Sequence, residues 1–425
     1  MTGRPLRILH VDKFASRRRG GAPAYMLDLV EWQRAHGHDV EFFASDGPTD
    51  ARGRYRDLFP PVPTFDPLPG SAVGRARAVG HMLWSRRVAR AFAEVLDDFQ
   101  PSVVHLHNIY HQLSPSILGP IRRRRIRHVM TVHDYKLVCP TYRLVDGAGR
   151  HCEACVDGSV NNVVRRSCQA GSRVQSAVLM VESGLHRMFR AYESVDAFLC
   201  PSRYLAGLLE RAGLGGRCHH LPLGYDMDTV PARTSPGQGI AFGGRLVAEK
   251  GVDHLIEAVA LVPGVHLTVC GDGPDRGRLE RAAARLLTGR HEFTGHISRD
   301  RLLAVFRASA AVAIPSVWAE NQPISALDAL ASGAPIITSS TPALTEIVPP
   351  GVSGLAVDPR DHAQFAAAIA ALASDVALQE RLGSVGRARV AEVHSVPRHL
   401  SALERIYSGS DDEMIELNGS SVGSS

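Results

Sequence analysis

The chain has 425 residues, of which 44% are hydrophobic and 21% charged, and its formal net charge is +5. That length exceeds one ordinary core and calls for two domains. So thin a positive balance does not make the dominant phosphate-binding face of a nucleic-acid-binding protein, and no apolar run is long enough to span a bilayer. The N-terminus, MTGRPLRILHV, turns at once into a strand-like run without a cleavable apolar stretch, so a cytoplasmic location is expected.

Short apolar runs alternate with amphipathic stretches, the pattern of parallel sheets with crossover helices. In the first half the predicted strands are LRILHV (6–11), DVEFFAS (39–45), SVVHLHN (102–108), HVMTVHD (128–134) and AFLCPS (197–202). A helix is predicted over 24–37, and one basic amphipathic helix over 71–96. A stretch rich in Pro, Gly, Thr and Asp, 221–238, reads as a linker. The second series of strands is GIAFGG (239–244), VHLTVCGDG (265–273), HEFTGH (291–296), AVAIPS (311–316) and APIITSS (334–340). The expected organisation is α/β: two doubly wound, Rossmann-like domains over 1–220 and 239–390. A C-terminal helix at 391–407 is drawn as crossing back to the first domain, and a Ser-rich disordered tail fills 408–425. Ligands of such sheets bind beyond the carboxyl ends of the strands, so the cleft between the domains is the expected site.

The second half carries the denser chemistry. GIAFGGRLVAEKGVDHLIEAV (239–259) reads as strand, glycine turn and helix, with Gly244, Arg245 and Lys250 in the turn. Two cations ahead of a helix N-terminus suit a diphosphate, although a solvated pair is the plainer alternative. Gly271 in CGDGPD and Gly295 in FTGHISRD put two more glycine turns at the same sheet edge. In SVWAENQPISALDALASGAPII, Glu320 precedes a predicted helix ending at Ser332-Gly333, and Asp328 lies about two turns along. Carboxylates in so apolar a stretch need partners. The alternatives are an N-cap Glu with a surface Asp, or two carboxylates holding the hydroxyls of a ligand beside a helix N-terminus.

In the first half, TVHD (131–134) ends a predicted buried strand and sets His133 and Asp134 at its edge; a core histidine is the alternative. Gly20-Gly21, after Ser16-Arg17-Arg18-Arg19, makes a tight turn before a helix. Its cations suit a phosphorylated acceptor, a membrane surface or plain solvation. HNIYHQLSP (107–115) follows a strand and is a candidate acceptor-lining segment, and the 71–96 helix with RRRR at 122–125 offers basic charge to anionic lipid or to water. Cys139, Cys152, Cys155 and Cys168 follow a C-x12-C-x2-C-x12-C spacing in a segment poor in apolar residues. That spacing suits a structural, tetrahedral Zn²⁺, with free thiols, disulfides or an iron–sulfur cluster as alternatives. Cys200, Cys218 and Cys270 read as buried small hydrophobes.

FGGRLVAEKGVDHLIEAV, CGDGPDRGRLE, FTGHISRDRL and WAENQPISALDALASGAPII, in this order, resemble the retaining glycosyltransferases of family 4, which have the GT-B fold. GGAPAYMLDLVEWQRAHGHDVEFFAS resembles that family's opening loop, helix and second strand, with Gly21 in the loop. The resemblance implies a nucleotide-sugar donor, UDP- or GDP-linked, and a hydroxyl acceptor on a glycan, a lipid-linked sugar or a small-molecule scaffold. It implies that Arg245 and Lys250 hold the diphosphate without a catalytic metal, and that Glu320 and His133 contact the donor sugar. The backbone of Asn321, Gln322 and Ile324 would meet sugar or phosphate. Gly295, His296 and Ile297 would meet the base. The family has Glu where this chain has Asp328, expected on the ribose hydroxyls with a side chain one methylene shorter. Some family members look similar in carrying a cysteine-bearing insert after the His-Asp strand. No carboxylate pair stands out as nucleophile plus acid, so the implied route is front-face attack with the leaving phosphate as base. Competing readings are a sugar-nucleotide epimerase or another enzyme on the same fold, and a zinc-bearing nucleic-acid-binding protein.

Overall fold

The computed structural model describes residues 4–45, 47, 51–63 and 70–410. It divides into two compact units, the first through Leu221 and again from Leu400, the second from Pro222 to His399. Each is built on one six-stranded, all-parallel sheet.

In the first unit the strands are β1 (Arg7–Val11), β2 (Asp39–Phe43), β3 (Val103–Leu106), β4 (Arg127–Thr131), β5 (Ala197–Cys200) and β6 (Cys218–His220), in the order β2-β1-β3-β4-β5-β6. The order reverses between β1 and β3, where His10 stands opposite His105. The helix Val396–Ser408 closes this unit from Leu400 onward. Arg127 donates to the Ile406 carbonyl (2.9 and 2.7 Å), and Tyr407 is buried against Gln33 and His105.

In the second unit β7 (Ile240–Gly243), β8 (Leu267–Cys270), β9 (His291–Gly295), β10 (Ala311–Ile314), β11 (Ile336–Ser339) and β12 (Gly354–Val357) run in the order β12-β11-β10-β7-β8-β9. Apart from the edge strand β9, HEFTG, the strands are mainly short apolar runs because both faces are covered. Ile240 and Phe242 join one core with helices Val252–Ala260, Arg276–Leu287 and His362–Ser374. Ala241 joins another with helices Arg299–Ala308 and Ile324–Ala331. Here the reversal falls between β7 and β10, the position at which doubly wound sheets open a crevice.

Ten strands match the expected runs, and β6 and β12 were not foreseen. CHH is short and polar, and GLAV opens on glycine. The single helix expected over 71–96 is two, Ala72–Leu83 and Arg86–Phe99. Trp84 is extended between them, and the Ser85 hydroxyl accepts the Val88 N–H, starting a new helix. Most of the stretch read as a linker packs on the second unit. Gln238 N–H donates to Ala308, Arg233 binds Gln379 (2.6 Å), and a Cβ on Gly237 would lie 2.2 Å from the Ser309 carbonyl. Of the expected tail, residues 411–425 lie outside the described residues.

Candidate functional site

The turns after β7, β8 and β9 are stacked edge to edge. Gly244 N–H donates to the Cys270 carbonyl (3.0 Å), and Gly271 N–H to the Gly295 carbonyl (2.9 Å). Gly271 has a φ of +142°, and a Cβ there would sit 1.8 Å from the Gly244 oxygen, so only glycine lets these backbones approach. The result is a ledge of main chain at the carboxyl edge of the sheet. His296 and Ile297 continue it past β9; His296 is exposed.

Beside this ledge the segments after β7 and β10 meet at the switch point. Val317 N–H donates to the Glu249 carbonyl (3.0 Å), and Gly251, with a φ of +63°, lies against the Pro315 carbonyl. That stitching brings Lys250 Nζ to 2.5 Å from Glu320 Oε1. The same oxygen accepts from Ser316 Oγ (2.7 Å) and Trp318 Nε1 (2.8 Å). Burial by itself pushes the Glu320 carboxyl up, but Lys250 and these hydrogen bonds outweigh it and hold it below the usual carboxylate range. Glu320 is therefore a buried, fixed anion. The Arg245 side chain is exposed and forms no ion pair among the described residues, so its charge is open to an anion from solution.

Glu320 precedes the helix Ile324–Ala331, and Asn321 and Gln322 are buried in the lead-in. Gln322 turns inward: its Oε1 accepts the Leu223 N–H (3.0 Å) and its Nε2 lies 3.0 Å from His394 Nδ1. Any ligand contact there falls to its backbone. Asp328 is in the helix and 5% exposed. Its Oδ1 accepts from Tyr225 OH (2.6 Å) and Arg299 Nε (3.2 Å), while Arg299 also reaches Tyr225 OH (2.7 Å). Burial pushes this carboxyl up, opposed by Arg299 and Tyr225. Neither partner was assigned a role from sequence. Arg299 stood in the quoted FTGHISRD block and Tyr225 in the supposed linker.

In the first unit, His133 follows β4 half-buried, its Nε2 3.0 Å from His107 Nδ1. Burial, with Lys13 adding to it, lowers its pKa to about 3, so the ring is neutral at physiological pH. Next to it Asp134 Oδ1 accepts the Lys136 N–H (2.9 Å) and a hydroxyl bond from Tyr110. Asp12, just past β1, was not singled out from sequence. It is fully buried, its Oδ1 takes the Phe14 N–H (3.0 Å), and Oδ2 has no hydrogen-bond partner among the described residues. Burial lifts its pKa to about 7, with Phe14, Lys13 and Asn108 pulling down and Asp134 pushing up.

The Gly20-Gly21 turn starts the helix Gly21–Ala35 with Gly20 at a φ of +123°. Of the cations before it, Arg17 is tied to Asp28 and Glu31, and Arg19 lies over Phe14. The segment 107–115 is mostly interior, with Asn108, Tyr110 and Ser114 buried.

Two family models fit the chain: residues 19–229 match the one described as Glycosyltransferase Family 4, and residues 234–389 match Glycosyl transferases group 1. The two halves are glycosyltransferase domains. Glycogen synthase of Mycobacterium tuberculosis is 32% identical over 180 residues, covering 41% of this chain and 43% of that protein. The GDP-mannose-dependent alpha-(1-6)-phosphatidylinositol dimannoside mannosyltransferase of Mycobacterium tuberculosis is 34% identical over 189 residues, covering 41% and 48%. The chain thus spans less than half the length of these curated relatives. Sucrose-phosphate synthase from Thermosynechococcus elongatus superposes with a TM-score of 0.70 at 19% identity, over 95% of this chain and 99% of that one, and so shares the GT-B fold.

Within the family 4-like domain, Cys139, Cys152, Cys155 and Cys168 line one cavity together with Val138, Leu144 and Val163. All four are free thiols. No three of their sulfurs lie within 4.8 Å of one another, a spacing that two other groups of potential ligands among the described residues do meet. Those groups are His10–His105–His107 and His254–Glu257–His362. Among the described residues no helix is long and apolar enough to cross a membrane. The helix Arg173–Met188 of this domain nevertheless buries Ser176, Glu182 and Ser183 while exposing Val174, Val181 and Met188 at seven-residue spacing.

Proposed function

We propose that the chain is a retaining glycosyltransferase that moves a sugar from a UDP- or GDP-linked donor to a hydroxyl acceptor. The observation that carries this is the Lys250–Glu320 pair at the switch point, flanked by the glycine ledge and the open Arg245. A nucleoside diphosphate on the ledge can approach the main chain closely where Gly244, Gly271 and Gly295 leave no side chain in the way. Arg245 and Lys250 then face the diphosphate. Its negative charge grows as the glycosidic bond breaks, so fixed cations and the N–H groups of Asn321, Gln322 and Ile324 favour the transition state over the ground state. No divalent metal is needed for that task. In this reading Glu320, locked as an anion, accepts from a ring hydroxyl of the donor sugar, and Asp328 holds the ribose, its acceptor geometry set by Arg299 and Tyr225. His133 meets the same sugar from the first domain.

With no protein nucleophile assigned, the acceptor hydroxyl attacks on the face the phosphate leaves. The departing phosphate oxygen takes its proton, which gives retention. A GDP-mannose-dependent relative supports a sugar-nucleotide donor, and the acceptor is a glycan, a lipid-linked sugar or a small scaffold. A lipid-linked acceptor would bring the apolar stripe of Val174, Val181 and Met188 to a membrane. Zn²⁺ belongs to the same proposal. Four thiols around one cavity are a chemically suitable donor set for it, their sulfurs closing in on binding, in a purely structural role.

The test is a thermal-shift panel of UDP, GDP, ADP, dTDP and their sugars without metal, followed by donor turnover with Glu320→Ala. A shift with one nucleotide family, and transfer at least about a hundredfold lower in a folded variant, is expected. Full activity in Glu320→Ala removes it from the site, and an epimer formed from donor alone overturns transfer in favour of epimerisation.

A further inference from the structure

Four histidines from three adjacent strands lie in one column inside the first unit. His10 is on β1, His105 and His107 are on and just after β3, and His133 follows β4. Ring centroids are 4.5 Å apart for His105–His107, 5.4 Å for His10–His107 and 5.3 Å for His107–His133, and these three pairs are stacked. His10, His105 and His107 are wholly buried. A metal is a poor fit for these three. Their six ring nitrogens are already engaged, by Gln33, Tyr407, Thr131, His133 and one another, and the rings stack rather than converge on a point.

The bonds instead form one continuous chain. His133 Nε2 meets His107 Nδ1 (3.0 Å), His107 Nε2 meets His10 Nδ1 (3.1 Å), and His10 Nε2 meets Gln33 Oε1 (2.7 Å). From Gln33 the chain runs on through Nε2 to Tyr407 OH (3.1 Å), from Tyr407 OH to His105 Nδ1 (2.7 Å), and from His105 Nε2 to Thr131 Oγ1 (2.7 Å). Burial keeps His10 and His107 uncharged, lowering His10 to about 4 and His107 well below its ordinary value. A neutral imidazole has one N–H and one lone pair, so each ring passes on the direction it receives. Gln33 Oε1 only accepts, which puts the proton on His10 Nε2. His10 Nδ1 then accepts from His107 Nε2–H, and His107 Nδ1 accepts from His133 Nε2–H. What is left outward on His133 is Nδ1 with its lone pair, and among the described residues that atom makes no hydrogen bond. Turning the Gln33 amide over reverses every bond and leaves Nδ1–H outward. A mixed direction sets two N–H groups or two lone pairs face to face in the interior, so the column is all-or-none.

We propose that Gln33, a positioning residue three hydrogen bonds away, sets the tautomer of His133 through His10 and His107, so that His133 Nδ1 accepts a hydrogen bond from a hydroxyl of the donor sugar. The function of that acceptor rests on the reading of His133 as donor-facing; the tautomer relay does not.

The experiment is ring-¹⁵N histidine NMR on the full chain, with the His133 signals identified by their loss in His133→Gln. In the wild type His133 carries its proton on Nε2 and not on Nδ1. Gln33→Glu, read at a pH where its carboxylate is ionised and therefore only accepts, keeps that pattern. Gln33→Leu moves the His133 signals toward the Nδ1–H form and lowers kcat/KM for the donor about tenfold, the scale of one unmet hydrogen bond. An Nδ1–H signal in the wild type, or an unchanged pattern in a folded Gln33→Leu protein, overturns the proposal. If Gln33→Leu does not fold, Tyr407→Phe frees the amide to turn and must shift the pattern where Gln33→Glu does not; no shift overturns it equally. Unchanged donor kinetics in His133→Ala would instead sink the donor-facing role while leaving the relay to be judged by the spectra.

Discussion

Asp12→Asn should change how stability depends on pH, and in the direction opposite to most carboxylate substitutions. Asp12 is fully buried, with one oxygen on the Phe14 N–H and the other without a hydrogen-bond partner among the described residues. Its pKa rises from an ordinary 3.8 to about 7, first because burial disfavours the charged form. A folded-state pKa above the unfolded one means the native chain binds the proton more tightly. The contribution is therefore fully present below about pH 4 and is lost as pH rises through 7. A move from 3.8 to about 7 is worth up to roughly 4 kcal/mol. Asparagine keeps the Phe14 bond through its Oδ1 and never ionises. Wild type and variant should melt together near pH 4, to within about 1 kcal/mol, the size of one exchanged hydrogen bond. By pH 8 the variant should be the more stable by up to roughly 4 kcal/mol, or on the order of 10 °C for a unit of this size. Calorimetry at pH steps from 4 to 8, following the transition that the substitution moves, measures this; the two units need not melt together. Parallel pH profiles, or a variant less stable than wild type at pH 8, would refute the burial argument.

Lys136→Met tests the buried pair of Lys136 and Glu182 (2.5 Å), in which burial pushes Glu182 up but Lys136 and His111 bring it down to about 2. Losing the lysine strands a buried carboxylate and should cost about 3–5 kcal/mol, and the double variant with Glu182→Leu should recover most of it; equal stability of single and double variants in denaturant titrations would refute the pairing. Protein purified under reducing conditions should hold one Zn²⁺ per chain by elemental analysis, and Cys155→Ser should lose both the metal and part of the melting temperature. Zinc-free, fully folded protein would remove the metal from the four-cysteine segment.

The repeated apolar runs determined two parallel α/β units, because a strand buried on both faces is mainly apolar, as IAFG and AVAI are throughout and RILHV and VVHL are apart from Arg7, His10 and His105. The glycine turns and the order of Arg245, Lys250, Glu320 and Asp328 were also legible, since φ above zero and fixed charge each demand particular residue types. β6 and β12 were not, the one being three polar residues and the other a weakly patterned run opening on glycine, and Ser85 divided a helix that periodicity alone joined. Partner identity was left wholly to tertiary structure. Lys250 meets Glu320 only because parallel pairing sets β7 beside β10, and Asp328 finds Arg299 and Tyr225 across long stretches of chain. The histidine column shows this most clearly. LHVD and TVHD each look like a strand end with an isolated histidine, and HLHN like one with an alternating pair. Parallel register stacks them and the closing helix brings Tyr407 to Gln33, because hydrogen-bond direction passes between neighbours in space and not along the chain.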